Sequence, residues 1–189
     1  MRRALGAAAC LLLTTACGQE PEAARAGQSA RKPLYFDVKG LLDNQTRLLS
    51  ERQPAVEKQV TLRDGQVETT RVEKVDWSKE LQIFYQADIN KPALRGAYEA
   101  QVGGAAGGAQ VYRRKAGIEN IVDQLRVSGA GTEEGTVEAV LTQDNPLFFS
   151  RKTLTISYRN GLLNTYKVQG VQKLVMFDTL RYSATVRVL

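Results

Sequence analysis

The residues able to do chemistry in this chain are few, and the commonest kind is missing. There is no His among the 189 residues, and the only Cys are Cys10 and Cys17. A Ser-His-Asp or Cys-His relay needs an imidazole to carry the proton, so nucleophilic hydrolysis of that kind is closed to the chain. Zinc, which favours His and Cys ligands, has no ligand set here, and no Asp-x-Asp-x-Asp-Gly loop gathers oxygens for calcium. Carboxylates remain at Asp76, Glu80, Asp88, Asp123, Glu133, Glu134, Asp144 and Asp178. Their spacing defines no shared face, and a carboxylate pair for glycoside hydrolysis must stand about 5–10 Å apart. Gly103-Gly104-Ala105-Ala106-Gly107-Gly108 lacks the Gly-Lys-Ser/Thr ending of a phosphate loop and the G-x-G-x-x-G spacing of a dinucleotide site, so it is expected to be a hairpin loop. Arg113-Arg114-Lys115 beside Tyr112 is expected to be a solvated strand edge rather than a nucleic-acid surface. The expectation is a protein without catalytic residues, cofactor, metal or nucleic-acid partner.

The elements that would position any site begin after an address. Met1-Arg2-Arg3, the apolar run Ala4 to Leu13, and Thr14-Thr15-Ala16-Cys17-Gly18 follow the basic, apolar, small-residue order of an export signal. Ten apolar residues rise about 15 Å as a helix, half of a bilayer core, so a permanent span is disfavoured. The small residues before Cys17 resemble a bacterial lipobox, with Thr14 where the motif usually has Leu. That resemblance implies cleavage after residue 16 and a diacylglycerol on Cys17; the competing expectation is an ordinary secretory cut near Ala16 that leaves Cys17 a thiol. Loss of Arg2 and Arg3 with the leader lowers the formal net charge from +6 to +4. Gly18 after Cys17 favours sorting to the outer membrane under the proteobacterial rule, and Glu20 and Glu22 leave either a periplasm-facing or a surface-displayed orientation open.

Residues 17–33 are polar and small and read as a flexible tether, which leaves 34–189 as one domain. Leu34, Val38, Leu41, Leu42, Leu48 and Leu49 fall mainly at helical spacing and predict a helix over about 36–52, stopped by Pro54. Alternation at Val56, Val60 and Leu62, then Asp64-Gly65, then Val67 to Val72, predicts a β-hairpin. Asp76 is placed to cap a second helix carrying Trp77, Leu81, Phe84 and Tyr85 and ending near Asn90 before Pro92. Seven short runs follow, at about 94–102, 109–116, 120–128, 136–143, 152–159, 164–173 and 180–188, and predict an antiparallel meander. Ile118, Ile121, Val122 and Leu125 also fit a helix; the closely flanking turns favour a strand.

The segment Asp76-Trp77, Glu80-Leu81, Phe84 and Ala87 to Pro92, followed by Tyr166-Lys167-Val168-Gln169-Gly170-Val171-Gln172-Lys173, resembles an uncharacterised family of predicted lipoproteins of Bacteroidota-type envelopes. The resemblance implies envelope localisation and brings no catalytic residue. In outline, helices ahead of a many-stranded sheet are similar to the half-barrel of periplasmic lipoprotein carriers, which implies an α+β fold: a curved antiparallel sheet, carrier- or lipocalin-like, packed on two helices from the N-terminal half. The function expected is a lipid-anchored, non-enzymatic envelope domain. Its sheet would bind a hydrophobic ligand or an envelope partner through Leu154, Ile156, Tyr158, Tyr166 and Val168, residues whose period-two spacing serves a core equally well. The alternative expectation is an accessory subunit docking on an outer-membrane complex.

Overall fold

The structure, a computed structural model, describes residues 33–61, 65–103 and 108–189. The expected leader, Cys17, the expected tether up to residue 32, Asp64 of the expected turn and the centre of the glycine-rich loop lie outside the described residues. The unit from Pro33 to Leu189 is compact by itself.

Helix α1 spans Val38–Arg52. Asp37 starts it by accepting a hydrogen bond from the Gly40 amide, and Gln53, left-handed at φ 47°, ends it by donating to the Leu49 carbonyl just before Pro54. Its buried face is Val38, Leu42, Gln45 and Leu49; Leu34, ahead of the helix, is exposed. Strands β1 (Val56–Thr61) and β2 (Val67–Val72) form the expected hairpin.

The expected second helix is broken. Asp76 does cap it, accepting from the Lys79 amide, but α2 covers only Trp77–Glu80 before Leu81, at ψ −3°, tightens the chain into a 3-10 segment from Gln82 to Ala87. The tighter winding still turns Trp77, Leu81, Phe84 and Ala87 inward, so burial of that apolar set outweighs a regular ladder. A further 3-10 turn, Pro92–Leu94, delays the strand expected from 94 until Tyr98.

The meander is β3 (Tyr98–Val102), β4 (Gln110–Arg114), β5 (Val122–Ser128), β6 (Gly135–Asn145), β7 (Phe148–Arg159), β8 (Leu162–Leu174) and β9 (Leu180–Val188). Of the stretch that also fitted a helix, Val122 and Leu125 are in strand β5, while Ile118 and Ile121 lie in the connection before it. All pairs are antiparallel, and the nine strands run in the order β2-β1-β9-β8-β7-β6-β5-β4-β3, an open sheet with β2 and β3 at its edges. Arg113 and Arg114 therefore lie on an interior strand, not on an edge: β3 pairs with β4 and supplies the outer ladder. Asn160 and Gly161 turn β7 into β8 with φ 53° and 71°, the two left-handed residues a two-residue hairpin requires.

The core fills the face that carries the helices. Val56, Val186, Tyr166, Ile156, Leu154, Val137, Ala139 and Leu125 alternate inward across neighbouring strands beneath Leu42, Leu49, Trp77, Leu81 and Phe84. Each large aliphatic side chain so removed from water contributes about 1.5–3 kcal/mol. Gln45, a polar residue with only 2% exposure, joins α1 to the sheet: its Nε2 donates to the Gly161 carbonyl (2.9 Å) and its Oε1 accepts from the Leu163 amide (2.8 Å).

Candidate ligand-binding face

Cross-strand register places Val56, Lys58 and Val60 of β1 beside Val188, Val186 and Ala184 of β9, and these beside Tyr166 and Val168 of β8. Continuing along the same face, Gly170, Gln172 and Leu174 stand beside Tyr182, Leu180, Lys152, Ser150 and Phe148. Burial falls along β1 and β8, whereas on the β6–β7 side Leu141 and Ser150 stay buried. Val56 is 0% exposed and Val60 39%; Tyr166 is 3% exposed and Leu174 44%. The helical elements thus cover the face nearest the Asn160-Gly161 turn, and the part formed by β1, β9 and the far end of β8 is partly open.

A polar cluster marks the border. The Glu80 carboxylate accepts from Lys58 Nζ on one oxygen (2.6 Å) and from the Tyr166 hydroxyl on the other (2.7 Å). Burial, with the Glu80 carboxylate beside it, pushes the Tyr166 phenol far above its ordinary value, so it stays a neutral donor. Nearby, Lys152 Nζ donates to Gln86 Oε1 at 3.2 Å. Both carboxylate oxygens of Glu80 are engaged, so the cluster has the character of a structural clamp that fixes α2 to β1 and β8.

Beyond this border Val168, Ala184, Tyr182, Leu180 and Phe148 are half-buried and Leu174 is exposed. The Tyr182 ring lies against Gly170, where a β-carbon would meet its hydroxyl oxygen at 2.6 Å. A cavity of about 750 Å³ opens at this end and is lined on the same face by Gln172, Leu174, Leu180 and Tyr182, with Phe177 of the following loop; it reaches round to Thr61, Asp178, Arg181 and Ser183. On the opposite face a second hollow of about 580 Å³ is lined by Arg113, Arg114, Lys115 and Arg151 with Asp123, whose carboxylate pairs with Arg114. Groups of His, Cys, Asp and Glu suited to a metal do not occur among the described residues, and no helix among them is long and apolar enough to cross a membrane.

Of the side chains expected to touch a ligand, the structure brings all onto one face but into two environments. Leu154, Ile156, Tyr158 and Tyr166 are buried, at 1%, 3%, 8% and 3% exposure, and belong to the core. The Tyr158 hydroxyl donates to the Gly129 carbonyl, and Phe84 packs edge-on to Tyr166 with ring centroids 5.7 Å apart. Val168 alone stands past the border, partly buried against that core. Sequence reasoning missed its open neighbours Leu174, Leu180 and Tyr182, although the alternation along β8 and β9 carried the signal: residues sharing Val168's parity share its face. Cys17, expected to carry lipid, lies outside the described residues.

Comparison with known proteins yields no match: no family model, no curated protein and no solved structure aligns with this chain.

Proposed function

We propose that this protein is a lipid-anchored component of the bacterial outer membrane, held through Cys17, whose open half-face takes an extended apolar ligand of the acyl-chain kind without chemical change. In this reading the sheet curves as a half-barrel like that of lipoprotein carriers, the helices plug one half, and Val168, Leu174, Leu180 and Tyr182 form the wall of the other. The observation that carries the reading is the burial gradient along one face of β8, from Tyr166 at 3% to Leu174 at 44% exposure, which leaves an apolar surface continuous with the core but not filled by it. The leader motif supports the anchor.

Intact mass spectrometry of membrane-extracted protein, native and then denatured, tests both parts. The expected result is a diacyl mass on Cys17 together with a lipid-sized mass lost on denaturation. An acylated chain with nothing bound would remove the ligand, and an unmodified Cys17 would remove the anchor.

A second reading, an accessory subunit docked on an outer-membrane complex, draws on the sheet's open edges: β2 and β3 each present one unpaired side to a partner strand. Pull-down from solubilised membranes separates the two, since a docked subunit brings a stoichiometric partner and a ligand carrier does not.

A further inference from the structure

The exposed apolar side chains of this protein are not scattered. Leu34 and Leu189 apart, every large one among the described residues lies at a single end of the sheet: Val60, Val67, Leu147, Leu174, Val175, Met176 and Phe177. Met176 is 95% exposed, and Leu147 and Phe177 are each 71% exposed. Hydrogen bonds hold them out on a shaped support. The Val175 amide donates to the Leu147 carbonyl (3.1 Å), joining the β6–β7 and β8–β9 connections, and the Phe177 amide donates to the Leu174 carbonyl (3.2 Å).

Cations also stand near this end, although Arg52, Lys74, Arg126 and Lys167 elsewhere are equally without an ion-pair partner among the described residues. At the opposite end Arg159 pairs with Glu134 and Arg187 with Glu57. Near the apolar end, Arg151, Val171 and Arg181 are level on three adjacent strands, with Lys173 one step further out on the same face. Arg151, Lys173 and Arg181 have no ion-pair partner among the described residues, and neither have Arg113 and Lys115 beside Arg151 in the hollow of that face. The acids nearby are Asp144, level with Lys173 across Phe149, Glu99 opposite Arg113, Asp123 in the hollow, and Asp178 and Glu119 in the connections. An apolar tip backed by unpaired cations is the arrangement that partitions into a bilayer interface, the apolar side chains entering the acyl boundary and the cations meeting anionic headgroups.

We propose that the end carrying Leu147 and Val175 to Phe177 docks on the surface of a lipid bilayer that bears anionic headgroups, with Arg151, Lys173 and Arg181 as its electrostatic contacts. This is a contact of the folded domain, separate from any lipid on Cys17, and it holds whether or not the neighbouring half-face carries a ligand. It would set that half-face against the membrane.

Trp77, the one Trp of the chain and 1% exposed, supplies a constant background for a fluorescence test. The full chain is reconstituted into vesicles of phosphatidylcholine with or without phosphatidylglycerol, as Phe177→Trp or, with the reporter at the opposite end, as Ala130→Trp. With brominated acyl chains in the anionic vesicles, the Phe177→Trp signal should shift to the blue and be quenched at least about twofold more than that of Ala130→Trp. Anchoring alone is common to both reporters and cannot produce the difference. Equal quenching of the two overturns the proposal; so does an unquenched Phe177→Trp signal, which would leave this end to a protein partner. Charge reversal at Arg151, Lys173 and Arg181 to Glu should abolish the preference for anionic over zwitterionic vesicles, and added salt should do the same to the unsubstituted chain without any question of folding. Binding indifferent to headgroup charge and to salt would overturn the electrostatic contacts.

Discussion

Tyr182 lies across Gly170 on the adjoining strand, so close that a β-carbon there would stand 2.6 Å from the phenol oxygen and 2.9 Å from the Arg151 carbonyl. The glycine leaves a shallow place in β8 and the ring covers it, which shapes the open half of the helix-bearing face. Gly170→Ala should therefore expel the ring or push β7 and β8 apart. The expected cost is about 1–3 kcal/mol by urea unfolding, in the range of other overpacking substitutions. A changed near-ultraviolet dichroism from Tyr182 should accompany it; a variant as stable as the parent with an unaltered spectrum would mean that the ring is free to move.

The side chains expected to touch a ligand should divide on substitution. Leu154→Ala removes a buried leucine and should destabilise the fold by about 2–5 kcal/mol. Val168→Ser, past the polar border, should cost far less stability and instead lower the amount of lipid retained in native mass spectra. If Val168→Ser unfolds the protein as Leu154→Ala does, the border between core and open face has been drawn in the wrong place.

Gln45 reaches from α1 to Gly161 of the β7–β8 turn and to Leu163 at the start of β8. Gln45→Ala leaves the Leu163 amide and the Gly161 carbonyl without that partner, and a buried unsatisfied group costs about 1–3 kcal/mol. The midpoint of chemical unfolding should fall with an unchanged slope, and amide exchange at Leu163 should accelerate. Exchange at Leu163 as slow as in the parent would show that another group takes over.

Alkaline stability should depend on Tyr166. Its folded pKa is raised by burial and by Glu80, so its contribution is complete below the ordinary value of 10.0 and is lost as pH climbs above it. Tyr166→Phe should flatten the alkaline limb of stability against pH. Some slope should persist, because burial also raises Tyr98, Tyr112, Tyr158 and Tyr182.

The acid limb has a different source. Hydrogen bonds from Ser78 and from the side chain and amide of Lys79 lower the Asp76 carboxyl from 3.8 to about 2. A depressed carboxyl stabilises the fold above its unfolded value, and that contribution fades as pH falls toward about 2. Asp76→Asn keeps a capping oxygen and removes the titration, so its stability profile should be flatter below pH 3.8 than that of the parent. Coincident acid limbs would show that the carboxylate is equally well served in the unfolded chain.

What the sequence determined by itself was local. Period-two runs, the Asn160-Gly161 turn, the leucine spacing of α1 and the capping Asp76 each depend on neighbours within a few residues, so their elements could be read directly. The absence of His was likewise plain in the chain alone. Only the tertiary structure decided what happens after Leu81, where packing Phe84 and Ala87 into the core favours a 3-10 winding over the α-helix that spacing predicted. It also decided that β1 pairs with β9, a contact that sets Val56 beside Val188 and extends the sheet beyond its meander. Period two could place Leu154, Ile156, Tyr166 and Val168 by face, but alternation carries no information about how far a helix extends over that face. The length and placement of α1 and α2 against β8 made three of them core and left Val168 at the margin, and the same cover, by stopping short, left Leu174, Leu180 and Tyr182 open.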